Sequence, residues 1–234
     1  MMQRPEWYLD ELTHAGPEHL DPAYIATYDR KAGTDPTIDL STLQALGLDY
    51  TSVLVDLGAG TGTFTLAAAA HCLQIIAVDV SPAMLAALRA NVAASGLTNV
   101  TAVNAGFLSY EHEGSPADFV YSRNALHHLS DFWKGIALAR IAALLRPGGG
   151  LFLRDLVYDI DPREAEATME RWLGGAAASS AAGWTRAELA EHLRDEHSTY
   201  TWLLEPLLER AGFAIRERRI EGPGTYAAYT CVKR

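Results

Sequence analysis

The chain has 234 residues, 49 % hydrophobic and 21 % charged, a balance that suits a folded globular protein and excludes wholesale disorder. With 29 Asp and Glu against 19 Lys and Arg the formal charge is −10, which argues against a nucleic-acid partner, because phosphate binding draws on Lys and Arg. Cys72 and Cys231 lack CxxC or metal-type spacing, so buried reduced thiols are expected, and neither a disulfide framework nor a zinc site.

The amino-terminal MMQRPEWYLDE carries acids where a secretory leader needs an apolar stretch, so a cytoplasmic protein is expected. Leu57 to Val78 holds no Asp, Glu, Lys or Arg, yet glycines, threonines, His71 and Gln74 interrupt it, and no membrane segment is predicted. Residues 1–50 contain Trp7, Tyr8, Tyr24 and Tyr28 among turn signals, with Asp21-Pro22 as a helix start, and read as short helices. From Thr51 strands and helices alternate. Thr51–Leu57 is an apolar run ending in glycines, a strand buried on both faces. A helix is predicted from about Gly62 to Leu73, then a strand over Gln74–Val78 ending at Asp79. Ser81-Pro82 opens a helix to about Ser95, stopped by Gly96. Further strands are expected over Val100–Asn104, Phe119–Ser122 and Leu151–Asp155. The last follows a helix over Asp131–Leu145 and a turn, Arg146-Pro147-Gly148-Gly149-Gly150. Such alternation implies right-handed crossovers and a mainly parallel α/β sheet with helices on both faces.

The pattern then changes. Helices are predicted over Asp161–Leu173, from the capping box Thr185-x-x-Glu188, and over Ser198–Ala211, with Gly174–Gly183 as a small-residue linker. Phe213–Ile220 and Thr225–Val232, joined by Glu221-Gly222-Pro223-Gly224, suit an antiparallel hairpin. Arg216, Arg218 and Arg219 are broken by Glu217 and read as a solvated strand edge. The whole, 1–234, reads as one domain: helical residues 1–50, a sheet core over 51–157, a helical insertion over 158–212 on the substrate side, and the hairpin over 213–234.

Chemistry concentrates at Asp56-Leu57-Gly58-Ala59-Gly60-Thr61-Gly62, between a strand and a helix. Glycines let the backbone approach a ligand, and the helix start offers unpaired N–H groups. Position 63 is Thr, so the G-x-G-x-x-G of a dinucleotide site is not met, and no Walker lysine follows for a triphosphate. Asp79 lies 21 residues beyond Gly58 at a strand end, where a carboxylate accepts both hydroxyls of a ribose.

Together these residues resemble the class I S-adenosylmethionine-dependent methyltransferases over roughly Leu46 to Leu156. The segment Asp118-Phe-Val-Tyr-Ser-Arg-Asn-Ala-Leu-His-His-Leu129 and the run Leu144-Leu-Arg-Pro-Gly-Gly-Gly-Leu151 are similar to the family's small-molecule members. The resemblance implies a seven-stranded Rossmann-like sheet in the order 3-2-1-4-5-7-6 with an antiparallel last strand. It implies S-adenosyl-L-methionine as cofactor and S-adenosyl-L-homocysteine as product. Asp56, Gly58, Ala59, Gly60 and Gly62 would then wrap the methionine part. Asp79 would hold the ribose, Val80 and Met84 would flank the adenine, and Asn104, Ala105, Gly106, Phe107 and Asn124 would complete the cofactor set.

The expected reaction is in-line methyl transfer to a small molecule. His127 and His128 are candidate general bases, and Asp155, Tyr24, Tyr28 and Arg30 are candidate substrate contacts. His192, Asp195, Glu196 and His197 match no H-E-x-x-H pattern, so a solvated helix end and no metal are expected. The D/N/S-P-P-Y/F motif of DNA amino-methylating enzymes is missing after the fourth strand, where Ser122-Arg-Asn-Ala stands. A non-catalytic S-adenosylmethionine-binding regulator and an NAD-dependent oxidoreductase are the alternative readings; the oligomeric state is left open.

Overall fold

The computed structural model describes residues 4–16, 25, 35–178 and 183–234. Helix α1 (Thr37–Ala45) precedes the sheet. Strand β1 (Val53–Leu57) leads into α2 (Thr63–Ala68) and a 3-10 turn at Ala69–His71, so the helix predicted to Leu73 is shorter than expected. Next come β2 (Gln74–Asp79), α3 (Pro82–Ala94) and β3 (Val100–Asn104). Helix α3 starts as its sequence dictates: Pro82 occupies the first turn and the Ser81 hydroxyl accepts the Met84 N–H at 3.1 Å. Strand β4 (Ala117–Arg123), α4 (Asp131–Leu144) and β5 (Leu145–Asp155) follow. The run Arg146–Gly150 is therefore the start of β5 rather than a turn, and a register shift between Ala117 and Phe119 absorbs it.

Two-residue strands β6 (Val157–Tyr158) and β7 (Thr199–Tyr200), which sequence does not announce, pair in parallel on either side of the helical insertion. Between them lie α5 (Ala165–Ala178) and α6 (Arg186–Asp195), the latter with the complete Thr185–Glu188 capping box. Helix α5 runs on through Gly174 and Gly175, so the first half of the expected linker is helical and 179–182 lie outside the described residues. Helix α7 (Thr201–Arg210) leads to the antiparallel hairpin of β8 (Phe213–Glu221) and β9 (Tyr226–Lys233). On β8, Arg218 and Arg219 pair with Glu205 and Glu221.

The main sheet has the order β3-β2-β1-β4-β5-β9-β8, parallel through β5 and antiparallel at β9. Alternate strand residues supply separate cores, as a period of two requires. Val55, Val78, Val120 and Leu153 pack with Leu138 and Ile141 of α4 and Leu204 of α7. Leu54, Ile75, Phe119 and Phe152 pack with Leu43 of α1 and Phe64 of α2. Each such side chain buried to completion stabilises the fold by roughly 1.5–3 kcal/mol. The strand order reverses between β1 and β4, whose crossovers leave in opposite directions, so a crevice opens beyond their carboxyl ends. Among the described residues no helix is long and apolar enough to cross a membrane.

Candidate functional site

A cleft of about 700 Å3 occupies that crevice. Its floor is the loop after β1, where the N–H groups of Gly58 and Ala59 donate to the Val78 carbonyl at 2.9 and 3.0 Å. Gly58 has φ +77°, and a Cβ there would lie 2.4 Å from the Ala125 Cβ, so glycine is required by both conformation and space. Asp79 closes β2 at the cleft. It accepts the Gly60 N–H on one oxygen and the Ser81 N–H on the other, each at 2.8 Å, which aims the carboxylate and leaves further lone pairs for a ligand. Burial pushes the Asp79 carboxyl up, against the pull of those two N–H groups. The Asn104 amide donates to the carbonyls of Asp79 and Val80 at 3.0 and 2.8 Å, pinning this strand end.

The opposite wall follows β4. Asn124 is the one non-glycine residue with positive φ among those described, at +51°, a conformation asparagine tolerates better than most. Its N–H donates to the Arg154 carbonyl at 2.8 Å and its Oδ1 accepts from Arg154 at 2.7 Å. A 3-10 turn, Leu126–His128, comes next and is built on Asp155. One Asp155 oxygen accepts the N–H groups of Leu126 and His127 at 2.7 and 3.1 Å; the other accepts the Leu156 N–H at 2.7 Å and meets His127 Nδ1. His127 Nε2 lies 3.1 Å from Glu196. Burial alone would push this imidazole down, but the Asp155 and Glu196 carboxylates on either side outweigh it and bring its pKa to about 10. Burial likewise opposes ionisation of Asp155, yet His127 and the backbone N–H groups hold its pKa below the usual carboxylate value.

Beside the cleft is a second cavity, of about 1200 Å3, walled by Thr13, Trp184, Glu188, Glu191, His192 and Glu196. His14 and His128 line both spaces. The Glu196 segment is fixed from behind: the His197 N–H donates to the His127 carbonyl at 2.9 Å, and buried Lys134 bridges Asp131 and the His197 carbonyl.

Of the residues named from sequence, Gly58, Gly60, Asp79, Val80, Met84, Ala105, Gly106, Phe107, Asn124 and His128 line the cleft. Ala59 packs instead against the Leu85–Leu88 cluster, Gly62 precedes α2 in a left-handed conformation, and Asn104 acts through Asp79 and Val80. Asp56 lies buried under the loop, accepting the Thr65 hydroxyl at 2.5 Å; burial pushes its carboxyl up to about 7. His127 and Asp155 are buried and line neither space, so Asp155 shapes the turn and is not placed to touch a substrate. Tyr24, Tyr28 and Arg30 lie outside the described residues. The expected solvated helix end is corrected in part: Asp195 is exposed, but the His192 and Glu196 side chains are each only 14 % exposed and close on His127.

Sequence reasoning missed Glu11, His14, Ser81, Arg123 and Leu129 in the cleft wall. Glu11 accepts the Leu108 N–H at 3.0 Å and the Ser109 hydroxyl at 2.8 Å, contacts 97 and 98 positions away that no local pattern announces. Arg123 pairs with buried Asp39 of α1 at 2.6 Å, 84 positions away along the chain.

Residues 54–149 match the family described as Methyltransferase domain. The chain is 28 % identical over 162 residues, 69 % of each chain, to an uncharacterized methyltransferase of Geobacillus kaustophilus. It is also 28 % identical over 164 residues, 70 % of each chain, to one of Anoxybacillus flavithermus. Among solved structures it is similar in fold to a Haemonchus contortus phosphoethanolamine N-methyltransferase complexed with phosphomonomethylethanolamine and S-adenosylhomocysteine. That likeness has TM-score 0.70 and 16 % identity, covering 97 % of this chain and 60 % of that one. The [4+2]-cyclase SpnF shares the fold at TM-score 0.65 and 18 % identity, with 85 and 80 % covered. The sheet order and glycine loop above are those of the Rossmann-like methyltransferase fold, and the methyltransferase-domain match covers residues 54–149 of it.

Proposed function

We propose that this protein transfers a methyl group from S-adenosylmethionine to a small molecule held in the second cavity. One observation carries the reading: the cleft built by the glycine loop and Asp79 meets the larger cavity at His14 and His128. The residues present suit the cofactor. Gly58 and Gly60 bring bare backbone to the floor, Asp79 offers acceptor lone pairs to ribose hydroxyls, and Met84, Phe107 and Leu129 supply apolar walls for an adenine. Arg123, the one Lys or Arg in the described cleft wall, suits the carboxylate of the amino-acid end.

When bound, the cofactor would supply a sulfonium methyl whose carbon an acceptor atom attacks in line, the methyl–sulfur bond breaking to release S-adenosylhomocysteine. The donor is already activated, so the chain's own task is alignment and exclusion of water, which can supply roughly 7–11 kcal/mol of barrier reduction. His128, which lines the junction together with His14, is a candidate to take a proton from an acceptor that carries one. The acidic character of the cavity favours a small molecule over a nucleic acid.

Parallel calorimetric titrations with S-adenosylmethionine, S-adenosylhomocysteine and NADH test the cofactor; binding of the first two without NADH is expected. NADH binding alone overturns the reading. Release of S-adenosylhomocysteine in a metabolite screen separates an enzyme from a non-catalytic cofactor-binding regulator.

A further inference from the structure

We propose that His127, His192 and Glu196 bind one divalent first-row transition-metal ion, with zinc as the type ligand, at the wall of the second cavity. The three come from two places 65 residues apart in the chain. His192 lies on the last turns of α6 and Glu196 one turn later, so an i, i+4 pair faces His127 of the β4–α4 connection. Their candidate donor atoms all lie within 4.8 Å of one another. Glu196 stands 3.1 Å from His127 Nε2 on one oxygen and 2.5 Å from His192 Nδ1 on the other. Ligand atoms about 2.1 Å from a shared tetrahedral ion are themselves about 3.4 Å apart, so the group needs little movement to close on an ion.

Two further observations point to a cation rather than to a plain ion pair. His192 Nδ1 and Glu196 Oε2 are buried and have no hydrogen-bond partner of acceptable geometry among the described residues, although a nitrogen and carboxylate oxygens are this close. Behind them, His127 Nδ1 is held by the Asp155 carboxylate, which leaves Nε2 facing Glu196; a carboxylate orienting a ligating imidazole from its far side is the usual support of a metal-bound histidine. Asp155 is itself fixed by three backbone N–H groups, and the His197 and Lys134 contacts lock the other side, so the donors are preorganised.

Two imidazoles with one carboxylate select zinc or a neighbouring transition metal over magnesium or calcium, which take oxygen ligands. Three protein ligands leave a coordination position open. His192 and Glu196 line the second cavity, so that position faces the space beside His128. The H-E-x-x-H pattern is missing because the i, i+4 pair here is a histidine and a glutamate, with the second histidine supplied by the β4–α4 connection.

The test uses untagged protein stripped with a chelator and titrated with Co2+, read by visible absorption and by metal content after dialysis. One Co2+ per chain, displaced by Zn2+, is expected. His192→Ala and Glu196→Gln should each weaken Co2+ binding at least ~30-fold, in the range seen for lost ligands and their supports. His71→Ala, at an exposed histidine paired with Gln44, should leave it unchanged. S-adenosylhomocysteine affinity, expected within twofold of wild type in every variant, reports that the fold survives independently of the metal. The proposal is overturned if wild type takes up no stoichiometric Co2+, or if uptake survives both cavity substitutions. Equal loss in His71→Ala also overturns it.

Discussion

The glycine loop rests on a buried acid whose charge the fold opposes, and this makes an unusual prediction about stability. Asp56 is 1 % exposed, and its pKa is raised to about 7, chiefly by burial, with the nearby Asp79 charge adding to the effect and the Thr65 hydroxyl opposing it. The neutral form is therefore preferred in the folded protein. A carboxyl raised in this way stabilises the fold fully below its unfolded value near 4, and that contribution is lost as pH rises through about 7. At ~1.4 kcal/mol per pH unit, the loss between pH 4 and pH 8 is on the order of 4 kcal/mol. Asp56→Asn keeps the shape and an oxygen for the Thr65 hydroxyl but cannot ionise. Urea unfolding of both proteins from pH 4 to 8 isolates the effect, because titrating groups that do not couple to Asp56 cancel in the difference. The variant should lose up to ~2 kcal/mol relative to wild type at pH 4, from an imperfectly placed amide, and overtake it by pH 8. A stability difference constant across that range, within ~0.5 kcal/mol, would refute the argument that Asp56 is held neutral.

Much of this architecture is legible in the sequence because its signals are local. The apolar run before Gly58, the Ser81-Pro82 start and the Thr185–Glu188 box each specify their own element, and all three stand where expected. The Gly58–Asp79 spacing is legible for the same reason, since one strand–helix–strand unit brings Asp79 to within 2.8 Å of Gly60. Local signals fail where tertiary pairing overrides them. Arg146–Gly150 has every mark of a turn, yet it lies within β5: Leu145 pairs with Ala117 and Gly150 with Phe119, and the residues between them bulge from the ladder. Gly174 and Gly175 look like a break but continue α5. The rest of the site was illegible for a different reason: the contacts that build its walls, His127 with Glu196 behind the second cavity and Glu11 with Ser109 beside the cleft, meet across 69 and 98 residues, where no periodicity connects them. Motif spacing therefore pointed to the cleft over Gly58 and Asp79 and overlooked the wall beside it.

The remaining predictions address single side chains of the cleft. Asp79→Ala removes the acceptor offered to a ribose, and losing hydrogen bonds to a charged group at about 1.5–3 kcal/mol each should weaken S-adenosylhomocysteine at least tenfold by calorimetry. Unchanged affinity removes Asp79 from the site. Gly58→Ala sets a Cβ against Ala125 in a left-handed backbone and should cost ~2–5 kcal/mol, on the order of 10 °C in Tm by scanning calorimetry. Gly47→Ala, at φ +102° in open space, should cost only the ~1 kcal/mol of backbone strain; equal losses would mean that contact with Ala125 is irrelevant. Asp155→Asn distinguishes a substrate contact from a support for the turn. An amide keeps one acceptor oxygen of two, so two of the four donors on this carboxylate face an NH2 group, at about 1–3 kcal/mol apiece. Stability should fall by ~2–6 kcal/mol and S-adenosylhomocysteine affinity should fall with it, because His128 and Leu129, at the end of that turn, wall the cleft. If stability and cofactor affinity were retained while only the KM for the methyl acceptor rose, Asp155 would be reaching the substrate after all.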